Sequence, residues 1–186
     1  QGFKSQRPTE RGPDWRQQMA EHLLPKMDAE SATMLKNELA FQAGYADLNL
    51  PSGVTHSDLF RDNALFDGDE LKGIIDFYYA CNEYLLYDLA VAVNDWCVDQ
   101  DGHIDLARYQ AMINAYQQQR KLTEAEQANF NLVLRAAALR FWLSRLQDKL
   151  FPREGELTQT KDPDAFLTIL KQHREHDFID SMQQDI

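Results

Sequence analysis

Apolar residues recur at helical spacing along most of this chain and at strand spacing in one short region. Residues 14–24 and 29–47 read as two helices. Pro25 cannot continue the first, and Asp28 is a suitable N-cap for the second. "LNLPSG" at 48–53 reads as a turn. Residues 54–82 are the one β-like stretch, with "ALF" and "LKGII" flanking Asp67-Gly68, a hairpin signal. Helical spacing returns in "YLLYDLAVAVNDWCV" (84–98) and in 104–119. Thr123 and Glu126 predict a capping box that opens a long helix running to about residue 150. "FPREGELTQTKD" (151–162) reads as a loop, and Asp162 with Pro163 opens the last helix. Residues 1–13, broken by Pro8, Gly12 and Pro13, read as an irregular lead-in to a lobe formed by 14–186. The pattern therefore predicts an α+β chain, mainly α-helical, with one small β-hairpin.

The 186 residues suit one domain or slightly more, and 44% hydrophobic content can fill a core. Thirty acids against 19 bases give a net charge of −11, which argues against a nucleic-acid partner and against a basic membrane anchor. No apolar run approaches the ~18 residues of a membrane span. The polar opening "QGFKSQRPTERGPDW" lacks the apolar core of a signal peptide, so a cytoplasmic location is expected. Cys81 and Cys97 lie within apolar segments and are expected as reduced, buried thiols.

The β region carries polar groups that a simple strand would not need. In "THSDLFRDNALFDGDELKGIIDF" (55–77), Asp58 and Asn63 precede the first strand and Asp76 follows the second. A hairpin folds its two ends together, so these side chains can converge. An amide oxygen beside a carboxylate suits Mg²⁺, a hard cation. Asp58 would stand near them, able to accept a proton from a hydroxyl. Phosphoryl transfer needs this layout. Asp58-Leu59 leading to Asn63, with Asp76-Phe77 further on, matches the spacing of a kinase signature. A hydrogen-bonded turn cluster accounts for one Asp and one Asn, but not for His56, Asp58, Asn63 and Asp76 together.

That stretch, with "YDLA" at 87–90, resembles the aminoglycoside phosphotransferase and choline kinase family, which has a protein-kinase-like fold. Within it, "HSDLFRDNALFDG", "IIDFYYACNEYLLYDLAVAVNDWC" and "LRAAALRFWLSRL" are similar to the bacterial homoserine kinases, and the resemblance covers roughly residues 45–175. It implies the C-terminal, catalytic and acceptor-binding lobe of such a fold. Asp58 would be the catalytic base or hydroxyl-orienting group, and Asn63 and Asp76 the Mg²⁺ ligands. His56 would brace the loop, and Asp88 would hold it. ATP would be the phosphoryl donor. The acceptor would be a small hydroxyl-bearing molecule, L-homoserine first, with choline or an aminoglycoside as alternatives. A kinase-like lobe without catalysis is the remaining alternative. No Gly-x-Gly loop and no Val-Ala-x-Lys strand precedes residue 54, so the ATP-binding N-terminal lobe is expected outside this chain, and the isolated piece is expected to be inactive.

An amino-acid acceptor would need further contacts. Asp95 or Glu83 could meet an ammonium, and Trp96 or Tyr79 could wall the pocket. Arg140, Arg145 or Arg61 could fork onto a carboxylate. Arg140 is favoured over Arg145 because "ALRFW" surrounds it with apolar residues. "DQDGHID" (99–105) resembles part of a calcium loop, but Cys97 and Arg108 fall where that loop needs acids, so a solvated turn is expected. His22 is expected on a helix surface, and His173 with His176 as a surface pair.

Overall fold

The Asp28 carboxylate accepts the Ser31 N–H at 2.9 Å and starts a helix, as a short acceptor at an N-cap should. Local signals of this kind set most of the architecture. The computed structural model describes residues 5–152 and 161–178, so most of the loop expected at 151–162 lies outside the described residues. The helices are α1 (Pro13–Leu23), α2 (Ala29–Phe41), α3 (Leu85–Trp96), α4 (Leu106–Gln119), α5 (Glu124–Ala128), α6 (Phe130–Leu150) and α7 (Pro163–Glu175). The strands are β1 (Ser52–Thr55), β2 (Ala64–Asp67), β3 (Glu70–Ile74) and β4 (Cys81–Tyr84). Among the described residues the fold is mainly helical with two small antiparallel sheets, the α+β class expected.

β2 and β3 form the expected hairpin, with Gly68 at φ 59 in the turn, where a Cβ would be strained. The second sheet was not anticipated. β1 begins inside the stretch read as a turn and pairs with β4, Thr55 opposite Cys81. Pairing across so many residues leaves no local signal. The lead-in joins this sheet: Asn82 donates its N–H to the Arg7 carbonyl at 2.8 Å, and the Arg7 N–H meets Asn82 Oδ1 at 2.7 Å.

Two predicted helices are shorter than expected. α2 stops at Phe41, where Gln42–Gly44 turn the chain. The capping box at Thr123 and Glu126 is present, but the helix it opens breaks at Asn129. There the side-chain amide donates back to the Ala125 carbonyl at 2.8 Å, competing with helix propagation. The Asp162–Pro163 start of α7 stands as expected.

The core lies where α6 crosses α3 and α7. Leu134, Leu139 and Leu143 of α6 are fully or nearly fully buried, with Leu86 and Val93 of α3 and Ile169 and Leu170 of α7. Each such side chain contributes about 1.5–3 kcal/mol relative to exposure. Ala136, Ala137 and Ala138 keep α6 slim where its neighbours approach. His173 belongs to this core, which corrects the expectation of a surface pair. It follows Phe166, Ile169 and Leu170 on the buried face of α7, and its Nε2 lies 2.7 Å from Asn94 Oδ1. Burial pushes its pKa down to about 3, so the ring is neutral. His176 and His22 are exposed. Cys81 and Cys97 are buried and unpaired. Among the described residues no helix is long and apolar enough to cross a membrane.

Candidate active site

The segment after β1 is held by a carboxylate from the first turn of α3. Asp88 Oδ2 accepts the His56 N–H at 2.7 Å, and its Oδ1 accepts the Ser57 N–H at 2.6 Å. Burial raises the Asp88 pKa, while these two bonds and the nearby His56 pull it back. Ser57 sits at φ 64, a conformation costly for a residue with a Cβ and therefore one the surroundings must enforce. The next side chain is Asp58.

His56 links this segment to the end of the hairpin. Its Nε2 lies 2.9 Å from the Ile75 carbonyl, and its ring rests 4.7 Å from that of Phe77. The Ile75 N–H in turn donates to the Asn63 carbonyl at 3.0 Å. Asp76 follows in the left-handed region, φ 62 and ψ 58. Phe60 anchors the intervening loop in the core, edge-on to Phe141 at 4.5 Å. The Asn63 side-chain Nδ2 donates to the Asp58 carbonyl at 2.8 Å. This spends the amide's nitrogen and leaves its oxygen as an acceptor. Among the described residues Asp76 has no ion-pair partner. Amide oxygen and free carboxylate are the donor types a hard divalent cation takes.

Asp58, Asn63 and Asp76 line one open cavity of about 540 Å³. The expected convergence of the hairpin's ends is therefore met. The far wall is one face of α6. Arg140 Nη1 donates to Asp58 Oδ1 at 2.9 Å, and its guanidinium lies 4.9 Å from the Tyr79 ring centre. Ser144, Gln147 and Asp148 continue the same face. Arg11, Arg145 and Lys161 add positive charge to the lining. Lys161 meets Asp62 at 2.8 Å and holds that carboxyl below its usual range. The cavity thus offers both signs of charge, with guanidinium groups next to the Asp58 carboxylate.

Three residues considered as acceptor contacts stand elsewhere. Asp95 Oδ2 accepts the Arg61 backbone N–H at 2.7 Å and its Nε at 3.2 Å. Trp96 Nε1 donates to the Leu59 carbonyl at 3.2 Å. Arg61, Asp95 and Trp96 brace the outer side of the Asp58–Asn63 loop, and none lines this cavity. Glu83 packs beside Tyr45 in β4, where burial raises its pKa. Arg11 was missed because nothing in an irregular lead-in marks a site. Ser144, Gln147 and Asp148 follow Arg140 at helical spacing and were legible once Arg140 was placed. The 99–105 stretch is a solvated turn in which Asp99 Oδ1 takes the N–H groups of Asp101 and His103.

A family model described as "Phosphotransferase enzyme family" matches residues 2–122. The chain belongs to this phosphotransferase family. Among similar proteins, the homoserine kinase of Methylobacillus flagellatus is 50% identical over 169 residues, covering 91% of this chain and 53% of that protein. The homoserine kinase of Neisseria meningitidis serogroup B is 44% identical over 156 residues, covering 84% and 51%. The chain spans about half the length of the curated relatives it matches. Of solved structures, Plasmodium vivax ethanolamine kinase aligns with a TM-score of 0.60 at 18% identity, covering 97% of this chain and 52% of that one. A thermostable mutant of the aminoglycoside phosphotransferase APH(4)-Ia aligns with a TM-score of 0.59 at 16% identity, covering 95% and 54%. These two likenesses concern the fold alone.

Proposed function

We propose that this chain is the catalytic and acceptor-binding lobe of an ATP-dependent homoserine kinase, which converts L-homoserine to O-phosphohomoserine in threonine biosynthesis. The observation that carries the reading is the grouping of Asp58, Asn63 and Asp76 in one cavity with Arg11, Arg140 and Arg145. A guanidinium-rich wall next to Asp58 suits an acceptor with a carboxylate. Neither an aminoglycoside nor a quaternary ammonium alcohol has a carboxylate to use it. The homoserine kinases similar to this chain support the same acceptor.

In this reading Asp58 orients the acceptor hydroxyl for in-line attack on the γ-phosphorus of ATP. The new O–P bond forms as the bond to the β-phosphate oxygen breaks, ADP departs, and the hydroxyl proton passes to Asp58. Asn63 Oδ1 and the Asp76 carboxylate would hold Mg²⁺, which neutralises phosphate charge when bound. His56 and Asp88 fix the loop that carries Asp58. The ATP-binding lobe would pack on the outer face of the β2–β3 hairpin, where Leu65, Phe66 and Leu71 are each about half exposed. This chain alone is then expected to be inactive.

The test is ADP release by the full-length protein with Mg²⁺-ATP, offered L-homoserine, choline and an aminoglycoside in parallel. Homoserine should be the acceptor used, and Asp58→Asn should lower kcat about 10²–10⁴-fold. Turnover of choline or the aminoglycoside without turnover of homoserine would overturn the acceptor.

A further inference from the structure

Arg140 is 4% exposed, yet it opens on the cavity and, among the described residues, uses one nitrogen only. Nη1 is committed to Asp58 Oδ1 at 2.9 Å. Nε is buried with no hydrogen-bond partner. A buried guanidinium nitrogen without an acceptor is costly, and this one belongs to a side chain that lines the cavity. The ring of Tyr79 lies 4.9 Å from the guanidinium carbon and restricts its plane. The free Nε–Nη2 edge is the fork that matches a carboxylate in two parallel hydrogen bonds.

We infer that Arg140 measures the acceptor: Nη1 fixes Asp58 while the Nε–Nη2 edge grips the acceptor's α-carboxylate. The inference rests on the homoserine-kinase reading and adds a specificity device to it. One rigid, planar group then touches both the residue that handles the hydroxyl and the far end of the substrate. The distance from hydroxyl to carboxylate is read against the width of a single guanidinium. A chain one methylene shorter or longer can still dock its carboxylate, but its hydroxyl misses Asp58.

Steady-state kinetics of the full-length enzyme test this with L-homoserine and with 3-aminopropan-1-ol, which is homoserine without its carboxylate. Wild type should prefer homoserine. Arg140→Lys and Arg140→Gln should shrink that preference about 10- to 150-fold, chiefly through a raised homoserine KM, as loss of a charge-assisted contact predicts. The KM for 3-aminopropan-1-ol should stay in place, while kcat falls by a common, smaller factor on both acceptors as Asp58 loses its brace. The preference is a ratio within one variant, so it does not depend on the fraction folded. Equal losses on both acceptors would overturn the inference and leave Arg140 as a brace of Asp58. So would a preference that collapses in Arg145→Gln and survives in both Arg140 variants. A second measurement needs no variant. L-Serine and 5-hydroxy-L-norvaline should keep a KM near that of homoserine and lose about 100-fold in kcat, the penalty of a small misplacement. A loss carried by KM with kcat intact would refute the measuring role. Wild type active on choline but not on homoserine would sink the acceptor reading itself, a result distinct from all of these.

Discussion

Arg135 and Arg140 stand five positions apart on α6, and each meets a carboxylate from another element. Arg135 reaches Glu38 of α2 with Nε at 2.9 Å and Nη2 at 2.6 Å, a bidentate fork. Glu38 is fully buried and also takes a bond from Gln42 Nε2 at 2.9 Å, with Arg174 3.6 Å away. Both carboxylate oxygens of Glu38 and two guanidinium nitrogens of Arg135 are used. Arg140 makes one bond, leaves a buried nitrogen unmatched, and faces a cavity. The two arginines share a helix, a charge and a high degree of burial. Their difference lies in saturation. A closed pair stabilises a fold, while an open pair keeps capacity for a ligand, and burial alone would not have told them apart.

Breaking the closed pair should have the largest effect on stability. Glu38→Gln leaves the largely buried Arg135 guanidinium without its counter-charge, which costs about 3–5 kcal/mol. Asp58→Asn also leaves a buried guanidinium without its counter-charge, but Asp58 is 18% exposed beside the cavity and takes one bond where Glu38 takes a fork, so its cost should be smaller, about 1–3 kcal/mol. Urea unfolding of both variants checks the contrast. Similar losses in the two would mean that the cavity-side pair is structural as well.

The closed side should also carry the pH dependence of stability. His173 is buried and neutral, depressed first by desolvation and then by the charge of Arg135, to about 3. The unfolded chain binds this proton with the ordinary histidine pKa near 6.5. Between these values the unfolded state holds more protons, so stability is fully present above about pH 6.5 and is lost as pH falls towards 3. The loss from this group should reach about 2 kcal/mol at pH 5. His173→Gln should flatten the slope of unfolding free energy between pH 7 and 5. An unchanged slope would show that other groups carry it.

The parts of the molecule that were legible from sequence are those set by neighbours in sequence. Asp28, the Thr123–Glu126 box and Asp162-Pro163 mark helix starts, and Asp67-Gly68 marks the hairpin. A hairpin brings its own ends together, so the meeting of Asp58, Asn63 and Asp76 in one cavity could be expected from spacing. What escaped depended on distant partners. β1 pairs with β4 across the hairpin. Arg11 enters the cavity from a stretch without regular structure. His173 was misjudged although Phe166, Ile169 and Leu170 already marked its helix face as apolar, a periodic signal that was open to reading. Arg61 lies within the right loop in sequence, and Asp95 and Trp96 reach that loop in the fold, but only the fold decides which way a side chain near a site faces.

Asp95 allows the finest version of the same comparison, because its carboxylate, like Asp58, meets an arginine near the catalytic loop. Its Oδ2 is taken by the Arg61 N–H and Nε, and Arg61 is largely exposed. Such a pair contributes about 1 kcal/mol or less. In Asp95→Asn the amide oxygen can still accept the Arg61 N–H, so the loop keeps its main tie. Melting temperature should move little, and the homoserine KM should stay within about twofold, since no acceptor contact is lost. A tenfold rise in KM with unchanged stability would mean that Asp95 turns to the acceptor's ammonium when substrate binds. The substrate would then recruit a carboxylate that is already saturated in the free protein, and an open partner like Arg140 would not be required for acceptor recognition.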